Sequence, residues 1–448
     1  MKPSTSHASN ALSPSSLPHA RAGSGDTDDG GSAISAPPVR RQFLQRAAVF
    51  ASALGGGSLA QAQSGAASNG QVQFPPIYKP TEPPERMPSP GDAPDKRVGF
   101  ALVGLGRLTV AELLPAMGAS KHGKVVALVS GDRAKALKLA AQHGVPESGV
   151  YGYDDFDRIK DNPAVDVVYI VLPNSMHAEY TVRAAKAGKH VLCEKPMANS
   201  VAECQQMIDA CNRAGKKLMI AYRSQYEPMN RAIVKMVKEK KLGTLKHLIT
   251  SNSQNSDDPQ HWRFKRALAG GGALPDVGIY CLNAARFISG EEPTEVTAQM
   301  YSTPGDARFT EVEESVTFQL SFPSGFRATC LTSYGDHQSK FMRFQGSAGY
   351  AEMDPAYSYN GLKLRTSMLV DGKETAMEPS IANIDQFAAE MDHMAICVRT
   401  DRRPYSPGEE GLQDQRIVEA IYEAAKTGRP VKIAPMTVAR GPEPEEWK

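Results

Sequence analysis

The sequence predicts an α/β protein, with a doubly wound parallel sheet in residues 97–222 and a strand-rich domain in residues 223–448. Three observations carry that expectation. Short apolar runs alternate with helix-period segments across the first region, the first run ends on Gly104-Leu105-Gly106, and beyond residue 223 strand patterns follow one another. The 448 residues, 41% of them hydrophobic, exceed one typical domain and can supply two cores.

Composition removes several function classes. Lys and Arg number 51 against 49 Asp and Glu, with no long basic block, so nucleic-acid binding is disfavoured. Cys193, Cys204, Cys211, Cys281, Cys330 and Cys397 form no C-x-x-C pair and no Cys/His cluster with zinc spacing. No metal is expected, and the cysteines read as buried free thiols.

The first hundred residues hold an address. Positions 1–38 are rich in Ser, Gly, Ala and Asp without periodicity and read as disordered. Arg40-Arg41-Gln42-Phe43-Leu44 follows, then a weakly apolar run from Ala47 to Ala60 and an A-x-A site at Ala60-Gln61-Ala62. This order resembles a twin-arginine signal peptide, which implies export by the twin-arginine machinery as a folded protein to the periplasm. The apolar run is interrupted by Gly55-Gly56-Gly57 and falls short of the ~20 residues of a membrane span, so residues 1–62 are expected to be cleaved rather than to anchor. Residues 63–96 form a proline-rich arm with eight prolines between Gln71 and Pro94. That density forbids regular helix and favours an extended, polyproline-like course, either as a plain spacer or, through Phe74, Ile77 and Tyr78, as an arm laid on another surface.

The parallel sheet starts at Val98-Gly99-Phe100-Ala101-Leu102-Val103, an apolar strand running into Gly104-Leu105-Gly106-Arg107-Leu108. Such a turn lets the backbone approach a dinucleotide pyrophosphate while the next helix, about Val110 to Met117, aims its N–H groups at the anion. Thr109 stands where the third small residue of that fingerprint belongs. Val125 to Val129 is the second strand, Ala134 to His143 a helix, Asp166 to Leu172 a strand, His177 to Lys186 a helix and Val191 to Cys193 a strand. Ser200-Val201-Ala202-Glu203 is a capping box that opens another helix, and Leu218 to Tyr222 is a further apolar run.

Cofactor choice is read after the second strand, where an NAD-binding site would place an acidic residue. Here stand Ser130 and Gly131, with Arg133 and Lys135 just beyond, a hydroxyl and two cations suited to a 2′-phosphate. NADP is favoured, while Asp132 keeps open the reading of Arg133 and Lys135 as solvated residues of a helix start. Tyr151 or Tyr153 can stack on or reach the adenosine, while loop aromatics also read as packing residues. In such sheets ligands sit beyond the carboxyl ends of the strands, which marks Pro173, Asn174, His177, Glu194, Lys195 and Arg223 as cofactor candidates. His177 reads equally as a structural histidine.

The ordered series Gly104-Leu105-Gly106, Leu172-Pro173-Asn174-Ser175-Met176-His177 and Ala187 to Pro196, ending in Glu194-Lys195-Pro196, resembles the Gfo/Idh/MocA oxidoreductases. Ala269-Gly270-Gly271-Gly272-Ala273-Leu274-Pro275-Asp276-Val277-Gly278-Ile279-Tyr280 resembles that family's second-domain motif, with Tyr280 where many members carry histidine. Tyr280, the signal, the arm and Tyr405 to Gly411 together are similar to the family's exported glucose–fructose and aldose–aldose oxidoreductase branch. The resemblance implies a Rossmann domain and a mostly antiparallel open sheet packed by helices near Asp385 to Arg399 and Gln413 to Thr427. It also implies a homo-oligomer, dimer or tetramer, through that sheet, and it leaves the tail after Lys432 unexplained. Strand patterns support the second sheet at Leu245 to Ser251, Glu295 to Tyr301, Ser315 to Phe322 and Phe326 to Tyr334, the last two a hairpin over Pro323-Ser324-Gly325.

Oxidising a sugar hydroxyl requires a hydride acceptor and a base on the oxygen. A tyrosine such as Tyr280 ionises near 10 when free, and an ammonium ~4 Å away at an effective dielectric near 20 supplies the ~4 kcal/mol needed to bring it to neutral pH. Lys195 is therefore the expected partner of Tyr280, and Asp276, four residues earlier, is assigned to orienting the sugar. Arg223, Tyr226, Trp262 and Arg263 complete a polyol pocket. An exported enzyme meets no soluble nicotinamide pool, so the expectation is tightly bound NADP that oxidises an aldose to its lactone and reduces fructose or a second aldose by ping-pong turnover. The alternatives are a dehydrogenase with exchangeable NAD(P) and a non-catalytic sugar or dinucleotide sensor.

Overall fold

The computed structural model describes residues 66–68, 71–73, 91–256, 258–434, 436 and 440–443. The chain divides into two compact units, Met1–Met87 and Pro88–Lys448. In the first, Ala66–Ser68 pairs antiparallel with Gln71–Gln73. The expected proline-rich arm thus begins as a short strand, before its first proline at Pro75. The expected signal peptide, its cleavage site and most of the arm lie outside the described residues.

In the second unit six strands form a parallel sheet in the order Val150–Tyr151, Gly123–Val129, Val98–Val103, Val167–Ile170, His190–Glu194, Leu218–Ala221. All six residues of Val98–Val103 are buried, as befits a strand covered on both faces, which is why its sequence reads as a continuous apolar run. The helices Arg133–His143, His177–Lys186 and Val201–Arg213 lie between the strands as expected. Ser200 caps the last by accepting from the Glu203 N–H at 3.2 Å, while the Glu203 carboxylate reaches back to the Asn199 N–H at 3.1 Å.

A second sheet has nine strands, ordered Lys373–Met377, Leu364–Val370, Gly349–Met353, Ser339–Gly346, Leu245–Ser253, Arg327–Ser333, Ser315–Ser321, Glu295–Tyr301, Val431–Lys432. It is antiparallel except between Leu245–Ser253 and Arg327–Ser333. Its strands alternate: Val316, Phe318 and Leu320 are buried while Thr317 and Gln319 are exposed, so one face carries the core and the other is open. A one-residue slip would reverse the two faces.

The C-terminal helices differ from expectation. The helix Gln386–Arg399 packs on the parallel sheet, where Phe387, Met391 and Met394 share a core with Phe100, Leu102 and Tyr169. The second helix starts five residues earlier than expected, at Gly408, and runs to Thr427. It serves both sheets: Leu412 joins the core beneath the parallel sheet and Ile417 and Ile421 join that of the second. Just before it, Ser406 accepts from the Ile220 N–H at 2.9 Å through its carbonyl, so the Tyr405 to Gly411 motif closes the outer strand of the parallel sheet. The tail is also tied down, with Arg440 bonded to the buried Glu410 carboxylate at 2.7 Å and Glu443 paired with Arg231 at 3.0 Å.

Candidate active site

A cleft of 1020 Å³ lies along the carboxyl ends of the parallel strands and is closed on its far side by the second sheet. Its lining joins Gly104 to Leu108, Ser130, Lys135, Tyr153, Pro173, Asn174, Glu194, Lys195 and Arg223 to Trp262, Arg263, Asp276 and Tyr280. Sequence positions more than 170 apart therefore meet: the first group follows the parallel strands, while Trp262 and Arg263 lie on the short turn Trp262–Phe264, Asp276 on the helical turn Leu274–Gly278 and Tyr280 at the start of the helix Ile279–Ser289.

At the first turn Gly104 has φ of 94°, and a Cβ there would fall 2.3 Å from the Val171 carbonyl oxygen. Only glycine fits. The unexpected Thr109 explains itself: it is fully buried and its hydroxyl donates to the Gly104 carbonyl at 2.5 Å, bracing the turn from within. The following helix opens as a wide π turn, Thr109–Leu113, before Leu114–Ala119, so its start is looser than expected. A Cβ on Gly106 would meet nothing within 4 Å, which leaves open space for a pyrophosphate against the backbone. Ser130 and Lys135 face the cleft beyond the second strand, and the residues present fit a phosphorylated adenosine ribose. Arg133 does not join them: its guanidinium pairs with Glu147 at 3.0 Å on the surface. Asp132 also lines the cleft there and caps the helix, its Oδ1 accepting from the Lys135 N–H at 2.9 Å.

Two other expected contacts are also corrected. His177 is fully buried, its ring nitrogens each 2.9 Å from the carbonyl oxygens of Leu172 and Pro196, so it ties the Pro173 turn to the Lys195 turn and does not line the cleft. Tyr226 is fully buried against Ser406 at 2.9 Å and does not line the cleft. Asn174 lines the cleft while its amide donates to the Ala269 carbonyl at 2.9 Å, which joins the two sequence motifs.

At the other end, Lys195 Nζ donates to the Asp276 carbonyl at 2.7 Å and to Asp276 Oδ1 at 3.2 Å. Asp276 Oδ2 accepts from Arg263 Nε at 2.8 Å and from the Tyr334 hydroxyl at 2.6 Å. Burial alone would push the Asp276 carboxyl up, but Arg263, Lys195 and Tyr334 outweigh it and hold the group well below the usual carboxylate range. So engaged, Asp276 is a poor proton acceptor. Burial lowers the Lys195 ammonium while Tyr280, Asp276 and Glu194 raise it, with a net rise that keeps it charged. The ammonium lies 4.7 Å from the centre of the Tyr280 ring. A second cation stands there too, Arg223, whose guanidinium carbon is 4.8 Å from the same ring and 4.5 Å from that of Tyr359.

Arg223, a ligand candidate by sequence, lines the cleft; its terminal nitrogens bond Gln386 at 2.5 Å and the Tyr357 carbonyl at 2.7 Å, which fixes it as a wall of the pocket beside Tyr280. Tyr334, Tyr357, Tyr359 and Gln386 escaped the sequence reading because no local motif marks them. The Glu194 carboxylate accepts from the Tyr169 hydroxyl at 2.8 Å and from the Lys195 N–H at 3.2 Å. Among the described residues all six cysteines are buried free thiols, and no group of three His, Cys, Asp or Glu could hold a metal.

Comparison with known proteins agrees with this fold. Residues 98–222 match a family described as an oxidoreductase family with NAD-binding Rossmann fold, and residues 230–352 match the GFO/IDH/MocA C-terminal domain. The D-xylose 1-dehydrogenase [NADP(+)] of Haloarcula marismortui is 33% identical over 349 residues, 76% of this chain and 94% of that protein. The crystal structure of an aldose-aldose oxidoreductase from Caulobacter crescentus, complexed with glycerol, is 45% identical with a TM-score of 0.73, covering 75% of this chain and all of that one. A levoglucosan dehydrogenase in complex with NADH and levoglucosan, 22% identical with a TM-score of 0.66 and covering 75% of this chain and 99% of that one, shares the fold. The chain belongs to the Gfo/Idh/MocA oxidoreductases, and its cleft is built where that family's Rossmann and C-terminal domains meet.

Proposed function

We propose that the protein is an NADP(H)-dependent sugar oxidoreductase that oxidises an aldose to its lactone and reduces fructose or a second aldose in the same cleft by ping-pong turnover. The observation that carries it is the meeting of Lys195, Asp276 and Tyr280 at one end of the cleft, with Asp276 held as an anion by two cations. Bound NADP supplies the hydride acceptor for the first sugar and, once reduced, the donor for the second. The chain's residues handle the proton. Tyr280 takes it from the aldose hydroxyl and later returns it to the carbonyl oxygen of the second sugar, with Lys195 and Arg223 balancing negative charge on that oxygen. Trp262 and Arg263, whose guanidinium stacks 4.5 Å from the Trp262 ring centre, line the cleft and suit a polyol.

The 45% identity to an aldose-aldose oxidoreductase supports a sugar-to-sugar reaction, and Ser130 with Lys135 supports NADP. We further propose export to the periplasm through the twin-arginine route and a homo-oligomer; the sequence around Arg40-Arg41 supports the first. A second reading, a dehydrogenase with exchangeable NADP, is favoured by the 33% identity to a D-xylose 1-dehydrogenase. The test is to denature the purified protein, identify any nucleotide released, and assay native protein with glucose alone and with fructose or xylose added. NADP in near-unit amount with equal lactone and alditol supports the proposal. Protein free of nucleotide that makes lactone only with added NADP overturns it in favour of the dehydrogenase.

A further inference from the structure

Behind Lys195 a tyrosine hydroxyl lies between two buried carboxyl groups. Tyr169 Oη is 2.8 Å from Glu194 Oε1 and 3.0 Å from Glu390 Oε1. Tyr169 and Glu390 are fully buried and Glu194 is nearly so. A phenol carries one proton, so it can donate to one of these oxygens only. If both glutamates were ionised, one carboxylate would lack the phenol's proton and two anions would share a buried site. One extra proton on a carboxyl group completes the chain.

Its place follows from the remaining contacts. Glu194 Oε2 accepts from the Lys195 N–H at 3.2 Å; burial raises this carboxyl, while the Lys195 charge and the Tyr169 hydroxyl oppose that and favour the anion here over Glu390. Glu390 Oε2 is buried with no hydrogen-bond partner among the described residues, so an ionised Glu390 would leave that oxygen without a donor. The charged and titratable groups facing Glu390 are Glu194 and Tyr169 from two neighbouring strands, Arg223 from the turn after Leu218–Ala221, and Asp385 from the start of its own helix. Arg223 directs its terminal nitrogens to Gln386 and the Tyr357 carbonyl.

We propose that Glu390 holds a proton at neutral pH and donates it to Tyr169, which in turn donates to Glu194 and keeps that carboxylate ionised behind Lys195. Glu390, on the helix Gln386–Arg399, and Tyr169, on the strand Val167–Ile170, are then positioning residues for the catalytic lysine, reaching it through Glu194. Burial, and after it the nearby Glu194, pushes the Glu390 carboxyl well above its ordinary range, in the same sense.

Three full-length variants test this: Glu390→Gln, Glu390→Leu and Tyr169→Phe. A carboxyl whose folded pKa exceeds its unfolded value stabilises fully below the unfolded value and loses that contribution as pH rises toward the folded one. Glutamine has no such loss. Urea unfolding at pH 5.5 and 7.5 should therefore show E390Q gaining on the wild type by about tenfold in unfolding constant per pH unit. A constant difference between those pH values overturns the proposal. In sugar turnover, E390L and Y169F should lower kcat by at least about tenfold with little change in KM, and E390Q, which still donates, should recover most of it. E390Q as impaired as E390L overturns the positioning role. Should E390Q not fold, carboxyl 13C spectra of glutamate-labelled wild type at pH 7.5 replace it. A protonated-acid resonance that moves in Y169F supports the proposal, and its absence overturns it. Only the rate arm rests on the sugar reading; a wild type inactive on sugars would defeat that reading and leave the stability arm intact.

Discussion

Lys195→Met is the most informative single perturbation of the cleft. The side chain keeps its length and loses its charge, so packing changes little while the ammonium facing Tyr280 is gone. The ammonium lies 4.7 Å from the ring centre, and two unit charges at about that separation interact by ~3.5 kcal/mol at an effective dielectric near 20. The lysine side chain is only 12% exposed, so screening by salt removes little of this. In rate that is a loss of a few hundredfold in the step that moves the proton. Arg223, 4.8 Å from the same ring, remains and keeps the loss from being total. The assay is single-turnover reduction of bound cofactor by glucose, followed by absorbance in a stopped-flow instrument, with nucleotide content and melting temperature as controls. The expected result is a large fall in the rate constant with sugar affinity changed far less. A K195M protein that keeps its cofactor and reacts within tenfold of the wild type would refute the electrostatic role argued for this lysine.

Other perturbations follow from the same geometry. Thr109→Val removes the hydroxyl that donates to the Gly104 carbonyl and leaves that buried acceptor unpaired, for ~1–3 kcal/mol of stability, read as a lower melting temperature and weaker nucleotide retention. Lys135→Glu reverses the charge facing the adenosine end of the cleft; NADP affinity should fall by ~10- to 100-fold while NAD affinity changes little, measured by titration after nucleotide removal. Arg440→Ala leaves the fully buried Glu410 with Arg286 as its remaining cation, and the cost should sit near the low end of the ~3–5 kcal/mol expected for breaking a buried pair, measured by urea unfolding.

Much of this arrangement could be read from local sequence because local physics made it. The strand Val98–Val103, the helix His177–Lys186 and the capping box at Ser200 each follow from residues within a turn or two of one another. Lys195, Asp276 and Tyr280 came from motifs whose spacing survives in the fold. Long-range choices were not legible. Asp385 announces a helix start by accepting from the Phe387 and Ala388 N–H groups, but nothing nearby says that the helix covers the parallel sheet and not the second one. His177, Tyr226 and Arg133 follow or precede strand ends as ligand-binding residues do, and each turns to a protein partner instead. Arg223 shows the converse, since its neighbours Tyr357 and Gln386 lie more than a hundred residues away and only the folded chain reveals that it walls the tyrosine. Thr109 looked like a defect in a fingerprint and is a brace.

The central claim is that two sugars use one cleft and one retained cofactor. Glucose deuterated at C1 tests it directly, incubated with fructose or xylose and the purified protein in the presence of excess unlabelled NADPH. The account predicts deuterium in the alditol at close to one label per lactone formed, undiluted by the added nucleotide. Alditol free of label, with the deuterium recovered in soluble NADPH, would contradict it.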